Sequence, residues 1–261
     1  MKRIFASALF LATIVASDVR AADVWVLRGS TGPCEGLQWE ADTLLFNSAL
    51  TPSTVRLLEV SDGSDDVTAR QLEIAPRQVG ALRSLASDWR PSSEAALWML
   101  HLDVPDPVIV EGVLNIGTGT GLCILVPTPD RSAVYGTTRL PTFRALVPPG
   151  TEQVHLGTSL GLLATRNNVG IFNAGSVAAN ASIEVRRGCD DRLLDATTVQ
   201  VAANSTIQVR MDPKSDSGCL AGHQDVQPWV ETVRVVVDQP SLTWVSSLAN
   251  GVAPRGILGV R

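Results

Sequence analysis

The 261-residue sequence predicts an all-β protein of two similar sandwich modules behind a cleaved signal peptide. Three observations carry that expectation. Short runs alternate apolar and polar residues, clusters of turn-forming residues separate them, and the same order of elements occurs twice. With 45% hydrophobic and 18% charged residues the chain is too apolar for intrinsic disorder, so it must bury a core. At roughly 100 to 200 residues per domain its length allows one large unit or two modest ones, and the repetition decides for two.

The N-terminus comes first. Met1-Lys2-Arg3 precedes a run from Ile4 to Ala16 that is apolar apart from Ser7 and Thr13, and Val19-Arg20-Ala21 places small residues three and one positions before a cut. A basic head, a short apolar stretch and such a site define a secretory signal peptide over residues 1–21. A membrane-spanning helix needs about 20 apolar residues, and no stretch of the mature chain reaches that length. Removing residues 1–21 takes away three basic residues and one acidic, which shifts the formal net charge of −5 to −7. Only Lys2 and Lys214 are lysines, so positive charge is almost entirely arginine and forms no nucleic-acid footprint. The expected destination is secreted, periplasmic or cell-surface.

Beyond the signal, period-two alternation marks strands with one buried face at Thr54-Val55-Arg56-Leu57, Gln71-Leu72-Glu73-Ile74, Ser182-Ile183-Glu184-Val185, Val199-Gln200-Val201, Ile207-Gln208-Val209 and Val233-Arg234-Val235. Turn clusters at Asp62-Gly63-Ser64, Pro105-Asp106-Pro107, Gly188 to Asp191 and Gln239-Pro240 separate such runs. The repeat is visible in the residues themselves. Leu44-Leu45-Phe46-Asn47-Ser48 matches Val169-Gly170-Ile171-Phe172-Asn173-Ala174, and position 46 lies 126 before position 172. Leu72-Glu73-Ile74-Ala75 matches Val199-Gln200-Val201-Ala202 at an offset of 127, from 74 to 201. Late in each copy a strand, a proline turn and a second strand align Pro105 with Pro240 and Asn115 with Asn250, both 135 apart. Slowly drifting offsets with preserved order are what loop insertions in a duplicated module produce.

The modules are therefore drawn over residues 22–133 and 134–261, each near the roughly 100 residues of an immunoglobulin-type sandwich. Arg139 to Gly150, broken by Pro141 and Pro148-Pro149, is the expected junction. Trp39, Trp98, Trp229 and Trp244 are expected as core residues, with Trp25 and Trp89 nearer the surface. The stretches Gln38 to Asn47 and Arg166 to Gly175, with the linking Tyr135-Gly136-Thr137 to Leu140-Pro141, resemble tandem Ig-like sandwich modules of exported bacterial proteins of undefined role. The resemblance covers most of the mature chain and implies a non-enzymatic surface or interaction protein. It carries no functional residues over. The first copy departs from the pattern by having Asn47-Ser48-Ala49-Leu50-Thr51-Pro52 in place of an asparagine-glycine turn, so the residues do not fix the loop geometry there.

Cys34, Cys123, Cys189 and Cys219 all follow the signal, and an oxidising compartment favours bridges. Four cysteines allow three pairings. Cys34 with Cys123 and Cys189 with Cys219 keeps each bridge inside one module, and a bridge between modules is the alternative. No Cys-x-x-Cys pair or finger-type histidine spacing is present, so neither a metal nor another cofactor is expected.

Candidate chemistry is sparse. Gly157-Thr158-Ser159-Leu160-Gly161 fits the nucleophile-elbow pattern but lacks the long helix that must follow, and only His223, beside Asp225, lies downstream as a base. His101 and Asp103 share a strand face yet are two ligands at most. Asp62-Gly63-Ser64-Asp65-Asp66 lacks the spacing of a calcium loop, and Asp190-Asp191 stands in its place in the second copy, which suits hairpin turns. Asn180-Ala181-Ser182 and Asn204-Ser205-Thr206 fit the glycosylation acceptor pattern. No catalytic residue is assigned. The function expected is recognition of a protein or glycan by loops and edge strands. A periplasmic chaperone using strand addition, with Arg139 and Arg144 as its basic residues, is the alternative, and a hydrolase using Ser159 comes third.

Overall fold

The computed structural model describes residues 21–30, 37–61, 70–82, 97–118, 134–140, 142–158, 165–211 and 230–249. All regular structure in them is strand, and every pairing is antiparallel.

The first half contains β1 (Ala21–Ser30), β2 (Leu37–Asn47), β3 (Ser53–Val60), β4 (Gln71–Ile74), β5 (Val79–Leu82), β6 (Leu97–Pro105) and β7 (Val108–Thr118). Two further strands, β8 (Val134–Leu140) and β9 (Thr142–Phe143), pair with β7 and β1. One layer runs β4-β3-β6-β1 and the other β5-β2-β7-β8, and they join where Gly29 and Ser30 of β1 meet Ala41 and Glu40 of β2. Alternation explains why the layers face each other. In β3, Val55 and Leu57 point inward while Thr54 and Arg56 are exposed. Val24, Val26, Leu45, Val55, Leu57, Trp98, Leu100 and Leu102 fill the space between.

The second half contains β10 (Glu152–Thr158), β11 (Thr165–Asn173), β12 (Ala179–Arg187), β13 (Leu193–Val201), β14 (Ser205–Met211), β15 (Val230–Val237) and β16 (Ser241–Ala249). Its layers run β10-β15-β12-β13 and β14-β11-β16 around Val169, Ile171, Ile183, Val185, Val233 and Val235. Counting strands within each half, both have the order 4-3-6-1 in one layer and 5-2-7 in the other. Lettered A to G, an immunoglobulin constant-type sandwich places A, B, E and D together against C, F and G. Here A and G have exchanged layers and D lies beside C, so the plan is a seven-stranded sandwich with its own strand order.

Two details of the sequence reading change. Residues 134–140, drawn at the start of the second module, form β8 and add to the first half by pairing with Gly112 to Gly117 of β7. Strand pairing is non-local, and alternation does not say which neighbour a strand will choose. The late elements are also equivalent at an offset of 133, not 135. Asn47 pairs with Val108 as Asn173 pairs with Ser241, and Leu57 pairs with Leu102 as Ile183 pairs with Val235. Proline and asparagine in turns are interchangeable markers, whereas ladder register is fixed by the buried face.

A third apolar layer joins the halves. The outward faces of β1 and β6 supply Trp25, Leu27, Leu97 and Met99, and those of β11 and β16 supply Phe172, Leu242 and Trp244. Trp98 and Trp244 are buried as expected, but Trp25 is only 6% exposed, its ring centroid 5.3 Å from that of Phe172. Polar neighbours in sequence suggested a surface position for Trp25. On β1 they lie on either side of it without deciding which face its side chain takes.

Gly170 makes this layer possible. It pairs with Trp244, and a Cβ at Gly170 would lie 1.9 Å from Trp244 Cε2. The indole therefore fills the space that a side chain at Gly170 would take. Gly170→Ala displaces Trp244 and is expected to cost about 1–3 kcal/mol, the range for overpacking a core. Urea unfolding monitored by tryptophan emission checks this, and unchanged stability with unshifted native emission would contradict the packing described.

Candidate functional site

Two asparagines occupy the same structural position. Asn47 ends β2, and its Nδ2 donates to the carbonyls of Thr51 at 2.8 Å, Ile74 at 3.0 Å and Ala75 at 3.3 Å, while its Oδ1 accepts from the Ala49 amide at 3.0 Å. Asn173 ends β11, and its Nδ2 donates to Val177, Val201 and Ala202 while its Oδ1 accepts from the Gly175 amide at 2.8 Å. Both are fully buried. The following amides, from Ser48 and Ala174, each donate at 2.8 Å to a proline carbonyl, Pro107 or Pro240. The asparagine side chain and the amide that follows it thereby tie three turns together at one end of each sandwich. The loop geometry that the residues leave open is the same at this point in both halves, because the amide two residues on closes onto the asparagine Oδ1 in each. A Cβ at Gly175 would lie 2.7 Å from Gln239 Oε1, the end of a flexible side chain that can move aside, and the equivalent residue of the first half is Ala49.

The halves differ where β10 faces β16. Register makes Gln153 and His155 the counterparts of Val24 and Val26, and Ser241 and Thr243 those of Val108 and Val110. Four valines in the first half are thus four polar residues in the second. Gln153 Nε2 donates to Ser241 Oγ at 3.1 Å, and its Oε1 accepts from the Thr243 amide at 3.1 Å and hydroxyl at 2.8 Å. Having given its proton to Gln153, Thr243 Oγ1 accepts from His155 Nε2 at 2.6 Å. The geometry assigns His155 the neutral tautomer with the proton on Nε2. Burial, which disfavours the charged form, pushes its pKa down to about 4. His155 beside a hydroxyl resembles a base and its nucleophile, but His155 is 5% and Thr243 2% exposed, so no substrate reaches them. The cluster fastens the two layers: Gln153 satisfies the Thr243 amide at the outer edge of β16.

On the outer face of the same layer, arginines and carboxylates interleave. Arg234 bonds Asp191 at 2.6 Å and lies 3.7 Å from Glu152, and Arg186 bonds Glu184 at 2.8 Å and lies 3.6 Å from Asp191. Arg187 pairs with Asp190 and holds its carboxyl below the ordinary range. The hydrogen bond that Arg186 donates to the Glu184 carboxylate raises its own pKa further. The acidic turn Asp190-Asp191 is thus engaged by arginine, with Asp191 in the left-handed conformation at φ 60°. Among the described residues no three His, Cys, Asp or Glu side chains converge as metal ligands.

His101 does not pair with Asp103. Its ring stacks on Trp25 at 4.0 Å, with Asp23 at 3.5 Å and Glu59 at 3.9 Å from its nitrogens. The partners come from neighbouring strands, which same-strand spacing cannot reveal. Asn180 is exposed, and its side chain donates to Asp238 at 2.8 Å, which lowers the pKa of that carboxyl. Asn204 begins the turn into β14 with φ 45°. Cys189 lies in the turn from β12 to β13 and is disulfide-bonded. Ser159, His223, Asp225, Asp62 to Asp66, Trp89, Trp229, Cys34, Cys123 and Cys219 lie outside the described residues, as does residues 1–20 of the signal segment.

No protein-family model, no curated protein and no solved structure matches the chain.

Two predictions follow from the asparagine clamps and the polar seam. Asn47→Ala and Asn173→Ala each strand several buried backbone groups and are expected to cost about 3 kcal/mol in chemical denaturation, with the aspartate variants no better because a carboxylate cannot donate. For His155 the sign is that of a base whose folded pKa lies below its unfolded one. Stability is complete above pH 6.5 and falls as the pH drops towards 4. The loss reaches about 3 kcal/mol. His155→Val, the residue of the first half, should remove this acid sensitivity in melts compared at pH 7.5 and 4.5.

Proposed function

We propose that the protein is exported and non-enzymatic, with two sandwich modules, immunoglobulin-like in size and strand number but not in strand order, that bind a protein or glycan at the cell surface or outside the cell. The observation that carries this is the apolar layer of Trp25, Leu27, Leu97, Met99, Phe172, Leu242 and Trp244 between two copies of one scaffold. It holds two sets of turns and edge strands at a fixed spacing, which is what a recognition surface requires. The clamps and the seam support the same reading, since their polar atoms are spent on joining turns and layers.

A periplasmic chaperone that adds a strand to a subunit is the second reading. It requires an open cleft between modules lined by basic residues. Arg139 lies on β8 opposite Val113, Arg144 is exposed on the connecting segment, and side chains fill the space between the halves. These positions favour the first reading. Within it, Cys189 pairs with Cys219 and Cys34 with Cys123, each bridge closing a loop of one half.

A glycan array together with affinity capture from the native cell surface tests the proposal. Saturable binding that survives Ser159→Ala is expected, and hydrolytic turnover lost on that substitution would overturn it. Non-reducing peptide mapping should show the two bridges within halves, whereas a bridge joining Cys34 or Cys123 to the second half would refute the pairing.

A further inference from the structure

The polar seam of the second half is richer than joining the layers requires. At equivalent register the first half packs Val24, Val26, Val108 and Val110, so apolar contact alone joins its layers there. Their replacements bring together a hydroxyl, an imidazole and a primary amide. Thr243 Oγ1 lies 2.6 Å from His155 Nε2 and 2.8 Å from Gln153 Oε1. The Thr243 amide donates to the same Oε1 at 3.1 Å, and Gln153 Nε2 donates to Ser241 Oγ at 3.1 Å. A backbone N–H can only donate, so the side-chain carbonyl is fixed towards the Thr243 hydroxyl and its nitrogen towards Ser241. No external substrate reaches this interior, but an acyl group is already inside it.

His155 Nδ1 has no hydrogen-bond partner among the described residues, so nothing holds the imidazole proton on Nε2. With the proton on Nδ1 the chain of bonds reverses: Thr243 donates to Nε2, and its oxygen is free to attack. We propose that the second half closes an ester bond between Thr243 Oγ1 and Gln153 Cδ, with His155 as the base. The Thr243 oxygen adds to Cδ as its proton passes to His155 Nε2, and the carbonyl electron pair moves onto Oε1, where the Thr243 amide N–H stabilises it. The adduct collapses by breaking the bond from Cδ to Nε2, and the nitrogen leaves as ammonia with the proton from His155. One amide and one hydroxyl become one ester and one ammonia, so the step balances without an oxidant or a cofactor. Burial keeps His155 neutral and able to accept a proton, and it shuts out the water that would hydrolyse the ester. Gln153 is only half-buried, which leaves ammonia a way out. The bond joins β10, the first strand of this half, to β16, its last, across 90 residues of chain.

Mass spectrometry of the reduced mature chain, after prolonged incubation at neutral pH, tests this. The mass is expected to fall about 17 Da short of the sequence, the ammonia lost in acyl transfer. Tryptic cleavage at Arg144, Arg166, Arg234 and Arg255 places Gln153 and His155 in residues 145–166 and Thr243 in residues 235–255. These two peptides should appear as one branched species that hydroxylamine separates. Gln153→Val, His155→Val and Thr243→Val each introduce the residue that the first half carries at that register, so they suit the fold, and each should restore the full mass and two separate peptides. A wild-type chain of full mass with the peptides separate would overturn the proposal. So would a mass deficit that persists in Thr243→Val. None of these outcomes depends on the ligand proposed above.

Discussion

The buried asparagine at the end of the second strand of each half is the constraint on which the architecture rests. A sandwich of separate layers is held by apolar contact, which is strong but indifferent to register and to where turns fall. Asn47 and Asn173 supply what apolar contact lacks. Each has two N–H groups and an oxygen directed at backbone groups of two turns, and the following residue ties a third turn through a proline carbonyl. Because those turns connect strands of both layers, the clamp sets how the layers lie on one another. A buried polar group whose bonds are all made specifies one arrangement, since any shift would leave carbonyls unpaired at a cost exceeding the net value of the bonds.

With this frame common to both halves, their differences become legible as division of labour. The first half keeps valines at the join of its layers and presents an apolar outer face to the second. The second half spends Gln153, His155, Ser241 and Thr243 on that join and covers its own outer face with ion pairs. Gly170 and Trp244 replace Leu44 and Glu111 of the first half, and this single exchange turns an exposed sheet face into an interior one. Exposed ion pairs contribute little to stability, so the arginine network's larger effect is to keep the far face from stacking further.

Much of this was legible in the residues. Alternation located β3, β4, β12, β13, β14 and β15, and the Phe-Asn pair placed β2 against β11 because the side chain that fixes the clamp also fixes the sequence. Less was legible where the deciding contacts are non-local. The surface position expected for Trp25 failed because its strand is buried on both faces, a condition that depends on the other half of the chain. The seam was missed because Gln153 and His155 on an alternating strand have the signature of a solvent-facing row, and only the valines at equivalent register reveal that the row faces inward.

Hydrogen exchange of the side-chain amides of Asn47 and Asn173, followed by NMR in the folded protein, tests the central claim directly. If the clamps define the sandwiches, both Nδ2 groups exchange only with opening of the half to which they belong, and are as protected as the core amides of Leu45 and Ile171. Exchange of either side-chain amide at the rate of an exposed asparagine, while those core amides stay protected, would show that the sandwich holds its form without the clamp and would contradict the account.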